Sequence, residues 1–414
     1  FHSGSKQSSE NWLLPAGDPG AAPTCVRPRA DMLEYHVDHW GDRFVVVTNH
    51  DAVDFRVMQA SLDDPGDWTE LVAHEEGRRI TAIEPFEDHL ALHEWYQAQP
   101  SIRIVGRDGA TRMLEIDSEP HDVEFGPNEQ WHTPVVRLVH QSLTAPPRVI
   151  DVDVASGEIT VVKQTPTPNV ELDRYVAERM WATASDGARV PVDIVRHVDT
   201  PLDGSASCCV YGYGSYEVSL PPWFSVARLS LLDRGTVWAL VHPRGGGELG
   251  RRWYLDGKLL NKRNTFTDTL AACEHLVTTG VAARDRVAIR GGSAGGLLVG
   301  ACVTIEPERF KAAVAEVPFV DVTTTMSDPT LPLTVTEWEE WGDPRAEPSA
   351  SYIEGYAPYD NTVANDYPAL FITAGLNDPR VSYHEPAKWI AKLRQVRTND
   401  QPLLLRTEMG AGHA

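Results

Sequence analysis

The chain has 414 residues and carries 59 acidic against 37 basic side chains, a net charge of −22 that repels nucleic-acid phosphates, favours cationic ligands and also serves solubility. Its five cysteines, Cys25, Cys208, Cys209, Cys273 and Cys302, are odd in number and lack C-x-x-C spacing, which argues against a disulfide framework and against a zinc site. No run approaches the roughly 18 apolar residues of a membrane span and the N-terminus lacks a secretory pattern, so a cytoplasmic protein of two domains, with neither nucleic-acid nor membrane partners, is expected.

From the N-terminus, strand-like runs recur with turn signals between them. Phe44-Val-Val-Val-Thr48, Leu90-Ala-Leu-His93 and Val135-Val-Arg-Leu-Val139 are each followed by a second alternating run, Phe55-Arg-Val-Met58, Ile102-Arg-Ile-Val105 and Arg148-Val-Ile-Asp-Val152. A period of about 45 residues suits the blades of a β-propeller. Three blades and a fragment at Asn11-Trp-Leu-Leu14 do not close a ring, so residues 1–168 are read as a partial propeller, with a plain β-sandwich as the rival.

Beyond Val170 the pattern changes. Apolar runs at Cys208–Tyr211, Thr236–Val241, Val287–Ile289, Ala312–Val317, Leu370–Ile372 and Leu403–Leu405 alternate with helical stretches at Thr267–Thr279 and Glu385–Leu393. This predicts an α/β domain over residues 169–414, built on a largely parallel sheet.

Within that domain Gly291-Gly-Ser-Ala-Gly-Gly296 lies between the apolar runs Arg286-Val-Ala-Ile-Arg290 and Leu297-Leu-Val-Gly-Ala-Cys-Val303. G-x-S-x-G between a strand and a helix reads as a nucleophile elbow, in which small neighbours let the backbone turn sharply and expose Ser293. The bland reading is a glycine-rich turn whose serine caps the helix. An elbow serine needs a histidine base and a carboxylate further along the chain. Only His384 and His413 follow residue 293. His413, in Gly410-Ala-Gly-His, trails the run Leu403-Leu-Leu-Arg-Thr-Glu-Met409 and so sits beyond a strand's C-terminal end, whereas His384 falls in the opening of a surface helix. Asp378, in Gly375-Leu-Asn-Asp-Pro-Arg-Val381, follows the run Ala369-Leu-Phe-Ile-Thr-Ala374; its plain alternative is a turn aspartate before proline.

Residues 170–414, and less specifically the blades, resemble the prolyl oligopeptidase family of serine peptidases, most closely its oligopeptidase B branch. The resemblance rests on Tyr211-Gly-Tyr-Gly-Ser-Tyr216, His242-Pro-Arg-Gly-Gly-Gly-Glu-Leu-Gly250, the elbow, Val317-Pro-Phe-Val-Asp-Val322, Glu337-Trp-Glu-Glu-Trp-Gly-Asp-Pro344 and Glu385-Pro-Ala-Lys-Trp389. It implies an α/β-hydrolase domain preceded by a propeller, Ser293, Asp378 and His413 as the catalytic triad, and an oxyanion hole formed by the Tyr213 hydroxyl and the Ala294 N–H. It further implies that Glu337 and Glu339 hold the cation of an Arg or Lys residue, and that Arg380 contacts the substrate near the cleaved bond. No metal or organic cofactor is implied. Without the resemblance, Glu337, Glu339 and Glu340 read as a solvated acidic face.

The branch's second acidic pair is missing after Tyr216, where the chain reads Glu217-Val-Ser-Leu-Pro-Pro-Trp223, so preference for dibasic sites is not expected unless Glu217 substitutes. The sequence reads as part of a longer enzyme. The expected activity is hydrolysis of short peptides after Arg or Lys. The rivals are a prolyl oligopeptidase, an acylaminoacyl peptidase or esterase, and a non-catalytic binding fragment.

Overall fold

Successive side chains of a strand point to opposite faces, and in the inner strands Arg43–Thr48 and His89–Tyr96 residues on both faces are buried. The computed structural model describes residues 1–117 and 120–413. Two compact units form: one of Phe1–Ser142, Pro146–Thr167 and Glu248–Arg252, the other of Leu143–Ala145, Pro168–Gly247 and Trp253–Ala414.

The first unit contains a three-stranded sheet spanning residues 2–25 and three four-stranded antiparallel sheets within residues 35–72, 78–113 and 121–164. Alternation joins them into a stack. In the strand Arg43–Thr48, Val45 and Val47 join Trp40, Val57, Leu90 and Leu92 in one buried layer, while Val46 joins Tyr35, Met58 and Trp68 in another. Ala91 leaves the face of Leu90 and Leu92 for a third layer with Ile102, Val136, Leu138 and Ile150. Three cores thus form across four sheets in succession. The rival two-sheet sandwich does not form.

The second unit is built on eight strands: β1 (Tyr175–Thr183), β2 (Arg189–His197), β3 (Ser207–Tyr211), β4 (Thr236–Val241), β5 (Val287–Gly292), β6 (Ala312–Glu316), β7 (Ala369–Gly375) and β8 (Leu403–Glu408). Their order is β1-β2-β4-β3-β5-β6-β7-β8. From β4 to β8 neighbours run parallel, whereas β1, β2 and β4 pair antiparallel. The antiparallel edge is absent from the sequence reading. Helices α1 (Arg263–Thr278) and α2 (Ala294–Ile305) bury Phe266, Leu270, Leu297, Leu298 and Cys302 with Val210, Ile289, Ala313 and Ile372 of the sheet.

β2 carries a carboxylate in this core. Asp193 is 0% exposed and accepts two hydrogen bonds from Arg179 of β1, both at 2.6 Å, and lies 3.0 Å from His242 Nε2. Burial works against its charge, but the bonds from His242 and Arg179 outweigh that and hold its carboxyl below the ordinary range. All five cysteines are free thiols. Among the described residues, no helix is long and apolar enough to cross a membrane.

Because β3, β5, β6, β7 and β8 are parallel, the loops that follow them emerge along one sheet edge, the place where α/β sheets gather ligand and catalytic groups. Tyr213 follows β3, Ser293 follows β5, Asp378 follows β7 and His413 follows β8.

Candidate active site

Ser293 sits between the last residue of β5 and the first of α2 with φ 58° and ψ −119°, a region that non-glycine residues occupy only when their surroundings impose it. Those surroundings are crowded backbone. A Cβ at Gly291 would lie 2.4 Å from the Gly295 carbonyl oxygen, one at Gly295 2.7 Å from that of Gly212, and one at Gly296 2.5 Å from Pro318 Cα. The Ser293 N–H donates to the Glu316 carbonyl at 2.8 Å, which fastens the turn to β6. Its side chain makes no capping bond, so the turn-and-cap reading does not describe this serine.

His413 Nδ1 lies 2.7 Å from Asp378 Oδ2, with the carboxylate 1% and the imidazole 16% exposed. The other oxygen, Asp378 Oδ1, accepts the N–H groups of Arg380 at 2.8 Å and Val381 at 2.9 Å. The aspartate therefore organises its own turn and also faces the histidine. The two loops are joined through backbone: Leu376 N–H donates to the Glu408 carbonyl at 3.0 Å and Asn377 N–H to that of Ala411 at 3.0 Å. Gly375 makes this approach possible, since a Cβ there would lie 2.1 Å from the Gly412 carbonyl oxygen. Among the described residues, Ser293 Oγ and the His413 imidazole are not hydrogen-bonded to each other. His384 is the first residue of a separate helix, α4 (His384–Val396), and its Nδ1 pairs with Ser382 Oγ at 2.6 Å rather than with a carboxylate.

Tyr213 lies against the elbow, its Cα 3.5 Å from the point where a Cβ on Gly295 would stand. Burial, then the charges of Glu340 and Glu337, push its hydroxyl up to about 12 while Arg380 opposes them, so it is a neutral donor at working pH. Ala294 opens α2, and its N–H is one of the first-turn amides that have no acceptor within the helix. Arg380 is exposed, with its guanidinium near enough to act on Tyr213.

Glu337, Glu339 and Glu340 lie on α3 (Thr334–Trp341). Residues three apart share a helix face and residues two apart do not. Accordingly Glu337 Oε2 accepts the Tyr216 hydroxyl at 2.6 Å, and Glu340 accepts the Tyr216 N–H at 3.1 Å and the Tyr254 hydroxyl at 2.8 Å. Glu340 is 0% exposed, which corrects the reading of this run as a solvated face. Glu339 is not drawn to Tyr216, and its Oε2 is buried without a partner among the described residues. Glu340 is not among the site residues expected from the sequence; its spacing of three from Glu337 on a helix is the signal that locates it.

Residues 222–414 match the prolyl oligopeptidase family, and residues 1–165 match the prolyl oligopeptidase N-terminal β-propeller domain. Dipeptidyl aminopeptidase BI of Pseudoxanthomonas mexicana is 44% identical over 410 residues, covering 98% of this chain and 57% of that protein. Protease 2 of Moraxella lacunata is 40% identical over 415 residues, covering 100% of this chain and 60% of that protein. The structure of oligopeptidase B from Trypanosoma brucei with covalently bound antipain superposes with a TM-score of 0.94 at 38% identity, over 100% of this chain and 60% of that one. The chain thus spans 57% to 60% of the length of these three relatives. The stacked sheets are blades of a propeller and the eight-stranded unit is an α/β-hydrolase domain. Since the two matches succeed one another along the sequence and between them account for most of it, the chain belongs to the prolyl oligopeptidase family.

Proposed function

We propose that the intact protein is a serine peptidase that hydrolyses short peptides after Arg or Lys through an acyl-enzyme. The observation that carries this reading is the buried Asp378 carboxylate 2.7 Å from His413 Nδ1, on the same sheet edge as a serine held at φ 58°. With Nδ1–H donated to the carboxylate, Nε2 keeps the lone pair that takes the proton of Ser293 Oγ as it attacks the peptide carbonyl. Catalytic hydrogen bonds are commonly long without substrate and tighten when it binds. The Ala294 N–H and Tyr213 hydroxyl receive the developing oxyanion, and the loss of one such donor costs about 3–4 kcal/mol. His413 then protonates the leaving amine, and water hydrolyses the acyl-enzyme with the same base. The five unpaired thiols support a reducing cytoplasm as its place of work.

Basic specificity is supported by Glu339, whose buried oxygen without a donor is a group that an incoming guanidinium would satisfy. Hydrogen bonds to charged groups contribute about 1.5–3 kcal/mol, and each 1.4 kcal/mol is tenfold. Glu337→Gln with Glu339→Gln is therefore expected to lower kcat/KM for arginyl amides by about 10- to 100-fold. Neutral substrates should change far less, and equal losses on both would make these glutamates structural.

The decisive experiment assays the intact protein on benzoyl-arginyl amide, a prolyl amide, a p-nitrophenyl ester and an unblocked dipeptidyl amide, alongside fluorophosphonate labelling. Fastest turnover of the blocked arginyl substrate, with Ser293 labelled, is expected. A second reading is favoured by the name of the 44% identical relative: a dipeptidyl aminopeptidase would require the free amino terminus and leave the blocked substrate intact. Absence of both labelling and turnover would leave a non-catalytic module.

A methyl group at position 375 offers an independent test. The Gly412 carbonyl must give way to the Cβ of Gly375→Ala, which shifts the loop of His413. Misplacement of a catalytic group by about 1 Å costs on the order of 100-fold, so kcat should fall by about that factor with the fold retained. Undiminished turnover would show that this loop does not set the base.

A further inference from the structure

Beneath the loop that carries Tyr213 lies a charge that neither the triad nor substrate binding uses. Lys262 directly precedes α1 and is 1% exposed. Its ammonium donates to the Gly214 carbonyl at 2.6 Å and to Ser215 Oγ at 2.7 Å, and Ser215 is itself 0% exposed. The next residue is held from another element, Tyr216 N–H donating to Glu340 of α3. Resting on the reading of Tyr213 as an oxyanion donor, we propose that Lys262 is a positioning residue, which fixes the Tyr213–Tyr216 turn and thereby aims the Tyr213 hydroxyl.

The turn needs such a hold. Gly214 has φ 67°, Tyr216 61° and Glu217 59°, so three of four consecutive residues occupy the left-handed region and two of them carry the steric cost of a Cβ there. Local preference alone would let this segment relax. Lys262 removes that freedom by pinning the carbonyl next to Tyr213, while the single hydroxyl proton of Thr265 goes to the Arg244 carbonyl at 2.6 Å.

The amine is also an expensive way to fill space. A buried ammonium is tolerated only when hydrogen-bonded and balanced by charge, and an apolar side chain of similar volume is often no less stable. Here Glu340 favours the Lys262 charge and accepts the Tyr254 hydroxyl at 2.8 Å, against burial and the charge of Lys258, which donates to that same hydroxyl at 2.7 Å. The ammonium also lies over the Trp341 ring, 5.0 Å from its centroid. Such a network directs the carbonyl of residue 214, a task an apolar residue cannot perform.

The test is a double-mutant cycle of Lys262→Met and Tyr213→Phe in the intact protein, read on a blocked arginyl amide. Lys262→Met should lower kcat by about 10- to 100-fold, approaching the loss of a whole oxyanion donor, with KM changed less than about threefold. In the Tyr213→Phe background the same substitution should cost less than about threefold, because the group it aims is gone. An undiminished kcat, or an equal loss in both backgrounds, overturns the proposal. If Lys262→Met does not fold, Ser215→Ala takes its place in the cycle under the same criteria. A crystal structure of the variant separates this proposal from the peptidase reading: displacement of the Tyr213 hydroxyl supports the positioning role whatever the substrate, and an unmoved hydroxyl overturns it.

Discussion

Ser293→Ala is expected to remove hydrolysis of the blocked arginyl amide almost completely, by about six orders of magnitude in kcat, because loss of the nucleophile also strands the base that serves it. The substitution is clean in structural terms. The φ of 58° at position 293 is imposed by backbone contacts of Gly291, Gly295 and Gly296 and by the bond from its N–H to Glu316, none of which involves the hydroxyl. Alanine occupies that conformation at much the same steric cost as serine. Thermal unfolding should therefore be nearly unchanged while turnover and fluorophosphonate labelling vanish. Turnover by the variant at the native rate would end the peptidase reading.

Asp378→Asn is expected to lower kcat by about 10⁴-fold through the wrong tautomer of the histidine rather than through lost structure. The two carboxylate oxygens have separate duties: Oδ1 accepts the N–H groups of Arg380 and Val381, and Oδ2 faces His413 Nδ1. An asparagine must keep its oxygen toward the two backbone donors, since its NH2 group cannot accept from them. Its NH2 then points at the imidazole, Nδ1 turns acceptor, and the proton moves to Nε2, where a base for Ser293 is needed. The turn stays satisfied, so stability should hardly move. A loss below about tenfold would mean that the imidazole is not held through this carboxylate.

Local pattern revealed much of this architecture. Unbroken apolar runs at Val45–Val47 and Leu90–Leu92 marked inner strands of the stack, because consecutive residues of these strands are buried on opposite faces. Small residues around Ser293 marked the turn, since only they fit its backbone contacts. Asp378 and His413 were legible as residues that follow apolar runs, and the structure draws their loops together. Other features depended on distant partners. β1 and β2 are not legible locally, because Arg179 and Asp193 look like surface charge until His242 and the pairing of the two strands bring them together. Glu340 looked solvated until Tyr216 and Tyr254 covered it. Nothing near Lys262 announces that its amine meets a carbonyl 48 positions earlier in the chain.

The stack of sheets raises a question of alignment during folding. In a sheet wetted on one side, a slip by one residue turns apolar groups outward and is rejected at once by water. Here Val45, Val46 and Leu90, Ala91, Leu92 are all removed from solvent, so such a slip would trade one dry environment for another and escape that check. Size and charge pairing proofread instead: Ala91 placed where Leu90 or Leu92 belongs would leave a void, and the slip would take the fully buried Glu94 carboxylate away from Arg78 and Arg103. The small residue in the middle of that strand and the paired carboxylate further along it thus work together as a key to the frame in which the strand seats.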